Sequence, residues 1–371
     1  MATPSDVIVI GAGIVGCAVA YELARRGASV EIVDDRPAGM GATQASAGVL
    51  GPYVEAREEG ALLELTARSL DLFDRFVARI TSDSGLPVAY KRTGTLDVAT
   101  DAGELAALQK VAALLAARGV PAELVDARAA RELEPHLSST VAGGLFIPSH
   151  GFVAASDLTK ALVAAARRHG AQLIEHGRIR RIAQGDVDLR VETDRGSLTG
   201  GAVVVAAGSW SGQIEIAGAR RAPVKPIRGQ LLQLAWPGPP LRRVTWGQRA
   251  YMVPWDDGTL LLGATVEDAG FDERTTVAGV RDLMEGAAEL VPQIWNATFQ
   301  HARVGLRPAT PDLLPIVGPS AVVPNLFYAT GHYRNGVLLS ALTAELVAGA
   351  MLDDGKDPAL DLMRPSRFGD L

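Results

Sequence analysis

The sequence predicts an α/β protein with a Rossmann-like nucleotide-binding domain, discontinuous along the chain, and a second, strand-rich α+β domain. Three observations lead to this fold class. A short, β-branched apolar run at residues 7–10 is followed by a glycine-rich turn and a helical stretch. A second apolar run, at residues 202–205, ends in small residues. The order of strand, turn and helix then returns at residues 326–352, so helix-bearing segments near both ends flank strand-rich middle segments.

The first element is a strand at residues 7–10, because a continuously apolar run is typical of a parallel strand buried on both faces. Gly11, Gly13 and Gly16 follow in a GxGxxG pattern, before a helix at residues 17–26 and a second strand at residues 29–34. In such a βαβ unit the glycines make a tight turn, admit a pyrophosphate and let the helix pack closely on the strand. Asp34, at the end of the second strand, can accept hydrogen bonds from ribose hydroxyls.

The middle of the chain mixes helices and strands. Helical spacing of apolar residues predicts helices at residues 62–81, 105–118, 158–169 and 277–290. Short β-rich runs predict strands at residues 94–98, 171–174 and 179–182, a hairpin joining residues 189–193 to residues 197–198, and a strand-rich stretch at residues 223–265.

The strand at residues 202–205 changes abruptly from valines to Ala206, Ala207, Gly208 and Ser209. Small residues at the end of a buried strand indicate that backbone passes close to a large ligand. The closing strand, at residues 326–329, leads through a turn into a helix at residues 337–352. Arg334 lies in that turn, where a cation opposes the positive end of the helix dipole. Its position makes physical sense if an anion lies in front of the turn.

Composition narrows the functional class. The chain has 371 residues, of which 48% are hydrophobic and 21% charged, which is ordinary for a globular protein. The net charge is −6 without a run of Lys or Arg, so we expect no nucleic-acid surface. The single cysteine, Cys17, excludes an intrachain disulfide, and the six histidines show no paired spacing, so we expect no metal site.

The sequence also predicts the compartment. No basic segment precedes the first apolar run, which is too short for the apolar core of a signal peptide. No stretch approaches the ~18 uninterrupted apolar residues of a membrane span. We therefore expect a cytoplasmic protein without a membrane span.

Four short motifs carry a family resemblance: GATQASAGVL at residues 41–50, YMVP at residues 251–254, GLRP at residues 305–308 and GHYRNG at residues 331–336. Together with the βαβ unit, they make the chain resemble the amine-oxidising FAD family of D-amino acid oxidases, sarcosine oxidases and glycine oxidases, over nearly its whole length. Within that family it is most similar to the bacterial glycine oxidases associated with thiamine biosynthesis. The resemblance implies an FAD-binding domain made of residues 1–90, 150–220 and 306–371, and a substrate domain made of residues 91–149 and 221–305.

The resemblance also implies the residues that contact FAD. Besides Gly11, Gly13, Gly16 and Gly208, these are Ile14, Val15, Asp34, Asp35, Ala42, Thr43, Ala47, Gly48, Val49, Ile179, His332, Tyr333, Arg334, Asn335, Gly336, Val337 and Leu338. Members that attach the flavin through a cysteine use one in the C-terminal half of the chain. None occurs there, so we expect noncovalent FAD.

For the substrate, the resemblance implies that Arg307 and Tyr251 bind a carboxylate, with Arg334 at the same small pocket. A guanidinium grips a carboxylate through two parallel hydrogen bonds, which supports this role for Arg307. From the residues alone, Arg307 could instead pair with a surface carboxylate, and Tyr251 could be a core tyrosine. The family's hydride transfer requires no side-chain base, so His332 is expected beside the cofactor and not as a base.

Three positions depart from the glycine oxidase pattern. Val49 and Val266 stand where larger methionines can occur, and Arg249 stands where a histidine can occur. If these positions line the pocket, they change the accepted substrate size and leave the chemistry alone, because one methylene alters preference by only ~1–3 kcal/mol.

The predicted function is FAD-dependent oxidative deamination of glycine or a related small N-substituted or D-amino acid. The products are a 2-oxo acid, an amine or ammonia, and hydrogen peroxide, with dioxygen as the expected electron acceptor. Two alternatives are a D-amino acid dehydrogenase that passes electrons to a quinone, and a non-catalytic dinucleotide-binding subunit. A homo-oligomer is possible.

Overall fold

The computed structural model describes residues 5–55, 60–185, 188–353 and 355–371. Its helices are α1 (Ile14–Arg25), α2 (Pro52–Glu55), α3 (Ala61–Ser84), α4 (Ala102–Ala117), α5 (Ala127–Leu133), α6 (Ala155–Arg168), α7 (Val277–Leu290), α8 (Gly336–Leu352) and α9 (Pro358–Met363). Short 3-10 helices lie at Ala42–Ala45, Gly208–Gln213, Pro292–Asn296 and Pro365–Phe368. No helix in these described ranges is long and apolar enough to span a membrane.

The strands of the first half are β1 (Ser5–Ile10), β2 (Val30–Val33), β3 (Val49–Leu50), β4 (Tyr90–Lys91), β5 (Thr95–Ala99), β6 (Glu123–Asp126), β7 (Gly143–Ile147), β8 (Gly151–Val153), β9 (Gln172–Ile174) and β10 (Ile179–Gln184). Those of the second half are β11 (Leu189–Thr193), β12 (Gly196–Val205), β13 (Glu215–Ile216), β14 (Lys225–Ala235), β15 (Val244–Trp246), β16 (Tyr251–Pro254), β17 (Thr259–Gly263), β18 (Thr298–Ala309), β19 (Ile316–Pro319) and β20 (Leu326–Thr330).

The nucleotide-type sheet has the strand order β13-β10-β11-β12-β1-β2-β9, with β20 parallel to β12 and β19 beside β20. At its centre, β1 pairs in parallel with both β12 and β2. Val9 belongs to a core shared with α1, α3, α6 and α8, while Ile8 and Ile10 belong to a separate core on the other face. Burial on both faces explains why this strand is continuously apolar.

Strand β12 is one continuous strand where the sequence predicts two, at residues 197–198 and 202–205. Its first half is the antiparallel partner of β11, and its second half runs parallel to β1. Gly200 lies between the halves, and a Cβ there would lie 2.9 Å from the Ile8 side chain. This glycine therefore permits close packing inside one continuous strand and does not end it.

The second sheet has the order β18-β14-β17-β16-β15-β5-β7-β6. One face, including Leu232, Met252 and Leu262, packs in a core with α7. The opposite face carries Trp246 and Tyr251 and packs in another core with residues of the first half of the chain, including Ala47, Val54 and Phe152. The strands β3-β8-β4 form a small third sheet, and Phe152 of β8 packs in the same core as Trp246.

The predicted α/β fold with a second strand-rich part is confirmed, and the helix at residues 277–290 has the predicted bounds. The short elements α5, β7 and β8 were not predicted, because each is too brief to show a period. The division into FAD-binding and substrate domains at the stated boundaries stays a prediction. It agrees with the sheet membership of most strands, although β18 crosses the boundary at residue 305.

Candidate cofactor and substrate site

A cavity of about 560 Å³ opens at the carboxyl ends of β1 and β12 and extends to the inner face of the second sheet. Ligands of doubly wound sheets bind at such strand ends. The residues predicted to contact FAD or substrate line this cavity with the exception of Gly16: Gly11, Gly13, Ile14, Val15, Asp34, Asp35, Ala42, Thr43, Ala47, Gly48, Val49, Ile179, Gly208, Tyr251, Arg307, His332, Tyr333, Arg334, Asn335, Gly336, Val337 and Leu338.

The glycine turn brings backbone to the cavity wall. Gly11 has φ +110°, and a Cβ there would lie 2.4 Å from the Ala206 carbonyl oxygen. Gly16 packs behind the turn, where a Cβ would lie 1.9 Å from the Gly11 carbonyl oxygen. Helix α1 begins here without a side-chain cap on Gly13, although Thr43 Oγ1 accepts from the Ile14 N–H at 3.1 Å. The N-terminus of α1 therefore faces the cavity, as a diphosphate site requires.

Asp34 is held rigidly at the end of β2. Its carboxylate accepts from the Ala12 N–H at 2.6 Å and from the Arg36 N–H at 2.9 Å. Burial raises the pKa of the Asp34 carboxyl, and the neighbouring Asp35 charge acts in the same direction. The structure shows that Asp34 ties the glycine turn to β2, whereas its contact with a ribose stays a prediction.

The segment around the 3-10 helix Ala42–Ala45 is held between β18 of the second sheet and β8 of the small third sheet. Gln44 Nε2 donates to the Val304 carbonyl at 2.7 Å, and Arg303 Nη1 donates to the Gln44 carbonyl at 3.2 Å. Gly48 has φ +72°, and a Cβ there would lie 1.8 Å from the Val153 carbonyl oxygen. These contacts fix the backbone that is predicted to pass the flavin.

A contact between distant segments closes one side of the cavity. The Arg36 guanidinium lies 4.4 Å from the centre of the Trp210 ring and donates to both Glu273 carboxylate oxygens at 2.9 and 2.8 Å. Phe271 packs beside Trp210 with ring centres 5.9 Å apart. Arg36 and Trp210 both line the cavity, and neither was identified from the sequence.

Two buried histidines lie at or near the cavity wall. His332 Nε2 hydrogen-bonds Thr343 Oγ1 at 2.9 Å, and His150 Nδ1 hydrogen-bonds Thr95 Oγ1 at 2.8 Å. Burial lowers the pKa of each imidazole to about 3. Both rings are therefore neutral near pH 7, which agrees with a packing role for His332.

The turn before α8 presents Arg334 at the cavity. Tyr333 adopts φ +47°, and its N–H donates to the Pro308 carbonyl at 2.8 Å, which joins this turn to the end of β18. Arg334 is exposed and lies in the cavity lining. A cation at this rim suits an anionic ligand, as the sequence suggested.

Arg307 and Tyr251 lie at the end of the cavity formed by the second sheet. Arg307 Nη1 donates to the Thr265 carbonyl at 2.9 Å and to the Arg228 carbonyl at 3.2 Å. Its guanidinium lies over Gly229, where a Cβ would be 2.3 Å from Nη2. The Tyr251 ring stacks on Trp246 with centres 4.5 Å apart and planes inclined by 13°. The site thus combines a held cation with an aromatic wall.

Two of the proposed size-determining positions were wrong. Val266 is 55% exposed and does not line the cavity, whereas Val49 does. Val266 lies between Thr265 and Glu267, whose side chains hydrogen-bond to each other and therefore lie on the same side of the backbone. The Val266 side chain points to the other side, where it is exposed. Arg249 precedes β16 and pairs with Glu285 and Glu289 on the outer face of α7.

Trp246 also lines the cavity and was missed. It lies directly opposite Tyr251 across the β15–β16 pair. The signal was present in the short β-rich run before the turn at residues 247–250. Trp246 can be recognised as a cavity residue only when it is known that it pairs with Tyr251 across the two strands. Among the described residues, no group of three His, Cys, Asp or Glu side chains is placed to hold a metal ion.

The shape and chemistry of the cavity fit FAD. It runs from a helix N-terminus and an acidic strand end to a cationic and aromatic end, and glycines remove the Cβ atoms that would fill its wall. Gly11, Gly13 and the backbone at residues 42–49 would hold the cofactor, and Arg307 and Tyr251 lie at its far end.

Comparison with known proteins agrees with this fit. The family model described as FAD dependent oxidoreductase, DAO, matches residues 6–350. The bifunctional protein ThiO/ThiG of Nostoc sp. is 35% identical over 369 residues, which are 98% of this chain and 55% of that protein. The chain therefore spans about half the length of that relative.

Two further relatives match along nearly their whole length. Glycine oxidase of Geobacillus kaustophilus is 34% identical over 359 residues, 96% of this chain and 95% of that one. A crystal structure of glycine oxidase from that organism has a TM-score of 0.92, with 33% identity and 96% of each chain covered. The crystal structure of iminodiacetate oxidase from Chelativorans sp. BNC1 has a TM-score of 0.88, 28% identity, and 97% and 98% of the two chains covered.

The family match confirms the predicted FAD cofactor and the predicted oxidoreductase class. The matches do not favour the non-catalytic alternative. The chain belongs to the DAO family of FAD-dependent oxidoreductases.

Proposed function

We propose that this protein oxidises the C–N bond of glycine or a related small N-substituted or D-amino acid to a 2-oxo acid and an amine or ammonia. The observation that carries the proposal is the position of Arg307, which two backbone carbonyls hold at the end of the cavity beside Tyr251. A fixed guanidinium orients a carboxylate, and a small substrate has few other groups by which it can be held. Glycine oxidases and an iminodiacetate oxidase among the similar proteins support this substrate class.

Each residue has a defined task in this proposal. Arg307 binds the substrate carboxylate, Tyr251 contacts the same group through its hydroxyl, and the Tyr251–Trp246 stack limits the space for substituents. Arg334 adds positive charge at the rim. Bound FAD supplies the hydride acceptor for the α-carbon. We assign no proton transfer to His332, because its imidazole is buried and bonded to Thr343.

The proposal also covers the electron acceptor, the attachment of FAD, the cellular location and the oligomeric state. We propose dioxygen as the electron acceptor, with release of hydrogen peroxide, noncovalent FAD, a cytoplasmic location and a possible homo-oligomer. Oxygen uptake with stoichiometric peroxide formation during turnover is the result that would support dioxygen as the acceptor. A quinone-dependent D-amino acid dehydrogenase would instead show slow reoxidation in air and fast reoxidation by an added quinone.

The decisive experiment compares glycine with methylamine, which has an amine and no carboxylate. We expect Arg307→Ala to lower kcat/KM for glycine by ~10²–10³-fold, because a desolvated carboxylate loses a charge-assisted bidentate partner. Anaerobic flavin bleaching by methylamine should change far less. Arg307→Lys should restore only part of the loss, since an ammonium lacks the planar fork. Equal losses for both substrates, with FAD still bound, would make Arg307 structural and remove the basis of the proposal.

A further inference from the structure

The loop between β17 and α7, residues 264–276, connects to Arg307 from behind the cavity; we call it the bridging loop. Its second residue, Thr265, accepts from Arg307 Nη1 through its backbone carbonyl at 2.9 Å. The Thr265 hydroxyl donates to Glu267 Oε1 at 2.6 Å and accepts from the Gln230 N–H at 2.9 Å. The carbonyl that holds Arg307 therefore belongs to a residue fixed by Glu267.

The second carbonyl that holds Arg307 is fixed by the same glutamate. Arg228 and Glu267 exchange backbone hydrogen bonds, with Arg228 N–H donating at 2.8 Å and Glu267 N–H donating at 3.0 Å. The Arg228 carbonyl consequently accepts from Glu267 N–H and from Arg307 Nη1. Both acceptors of Arg307 Nη1 thus depend on the placement of Glu267.

The side chain of Glu267 holds this arrangement together. Its carboxylate accepts from Arg228 Nη2 at 2.5 Å, Arg228 Nε at 3.2 Å and Gln230 Nε2 at 2.8 Å, besides the Thr265 hydroxyl. The Arg228 side chain is only 8% exposed, and Asp272 of the same loop pairs with it at 2.9 Å. A cation buried to this degree needs close anionic partners, so the Glu267 position is strongly determined.

Charge distribution supports a task beyond holding the fold. Burial alone would raise the pKa of Glu267, but hydrogen bonds from Arg228, Thr265 and Gln230 bring it below the ordinary value. Glu267 is therefore ionised near pH 7 and compensates the Arg228 charge. Arg228 does not line the cavity, whereas Arg307 does, so this compensation leaves Arg307 as the cation presented to a ligand by β14 and β18.

We propose that Glu267 is a positioning residue for the carboxylate anchor, which sets the direction of the Arg307 guanidinium through the carbonyls of Thr265 and Arg228. The inference rests on the proposed function, since it takes Arg307 as the group that binds the substrate carboxylate. It assigns to Glu267 an effect on carboxylate affinity that a residue holding only the loop would not have.

The test is Glu267→Gln, which keeps the size of the side chain and removes its charge. The two readouts are the inhibition constant of acetate against glycine, and anaerobic flavin bleaching by methylamine. Acetate carries the carboxylate and cannot be oxidised at a C–N bond. We expect acetate binding to weaken about tenfold, within the range for coupled neighbours, and methylamine bleaching to stay unchanged. Glu289→Gln, which alters an exposed pair between α7 and Arg249 in the turn before β16, is the matched control and should change neither.

A double variant shows whether the effect passes through Arg307. With Arg307→Ala already present, Glu267→Gln should weaken acetate binding no further, because the group being positioned is gone. An equal further loss in that background, or an equal loss for methylamine, would overturn the proposal. If Arg307→Ala itself leaves acetate binding intact, the proposed function fails instead, so the two failures are distinguishable.

A second pair of variants covers the case in which Glu267→Gln does not fold. Thr265→Val removes the hydroxyl that donates to Glu267, whereas Thr265→Ser keeps it. Acetate binding should weaken several-fold in the valine variant and recover in the serine variant. Equal acetate affinity in both would contradict the positioning role.

Discussion

Replacement of Gly229 by alanine should move the substrate anchor without removing it. Gly229 lies on β14, opposite Gly305 of β18, and is not among the described glycines with positive φ. Alanine therefore fits the backbone at this position. The new Cβ, however, would lie 2.3 Å from Arg307 Nη2 and 2.4 Å from its Cζ. Ordinary contact begins near 3.4 Å, so the guanidinium must retreat by about 1 Å.

A displacement of this size should strongly impair the orientation of the substrate and should change the stability of the fold only slightly. Misplacing a group that positions substrate by about 1 Å can cost ~10²-fold in rate. We therefore expect kcat/KM for glycine to fall by ~10²-fold and acetate inhibition to weaken in parallel. The free energy of unfolding should change by less than about 1 kcal/mol, because the crowded atoms are the far end of a flexible side chain and the unfolded chain loses entropy.

The assay pairs Gly229→Ala with a control and a double variant. Gly349→Ala adds the same methyl group on α8, where no atom lies within 4 Å, and should leave glycine kinetics unchanged. In an Arg307→Ala background the added methyl occupies vacated space and should have no further effect. Wild-type glycine kinetics in Gly229→Ala, or an undiminished effect in the double variant, would refute the placement of the guanidinium.

Four further outcomes are expected. Acid or heat should release FAD into the supernatant, since we predict a noncovalent cofactor; flavin left in the precipitate would contradict this. Glu273→Gln should speed FAD dissociation by up to about fivefold, as measured by trapping released flavin, because a partly exposed pair with Arg36 is worth at most ~1 kcal/mol. Val49→Met should lower kcat/KM for bulky N-substituted glycines about tenfold relative to glycine, whereas Val266→Met, outside the cavity, should have no such effect. As pH falls from 6.5 toward 3, the wild type should lose up to ~1.4 kcal/mol of unfolding free energy per pH unit more than His150→Asn. The reason is that burial lowers the pKa of the His150 imidazole in the folded state to about 3, so that only the unfolded state takes up the proton. Equal slopes of the two proteins in denaturant titrations at several pH values would argue against a buried neutral ring.

The nucleotide half of the site was predictable because its determinants are local. Gly16 is needed for a close contact with Gly11 inside the same strand–turn–helix unit, whereas Gly11 itself lies against Ala206, just after β12. The spacing of both glycines is nevertheless visible in the sequence. Asp34 follows the strand that ends beside them, so its arrival at the cavity also follows from local order. A chain that forms this unit has little freedom in where these residues lie.

The substrate half was less predictable because its determinants are remote. The carbonyls that hold Arg307 belong to residues 79 and 42 positions away, and any residue type can supply a carbonyl. The wrong placement of Val266 has the same origin: it lies in the bridging loop, none of whose residues lines the cavity, and the packing of that loop depends on distant partners. Gly229 gave no signal either, because a strand glycine can serve a bulge, a turn or a nearby side chain.

Because backbone carbonyls hold Arg307, the proposed substitutions can be ranked by how much each should weaken carboxylate binding. Arg307→Ala removes the charge and should have the largest effect on carboxylate binding, while Gly229→Ala keeps the charge and shifts it directly. Glu267→Gln leaves both carbonyls in the chain and can act only through small backbone movements, so its effect should be smaller. Thr265→Val removes one of several hydrogen bonds to Glu267 and should have the least effect. If either bridging-loop variant were as harmful to acetate binding as Arg307→Ala, the loop would be contacting substrate itself, and the assignment of Arg307 as the principal anchor would have to be revised.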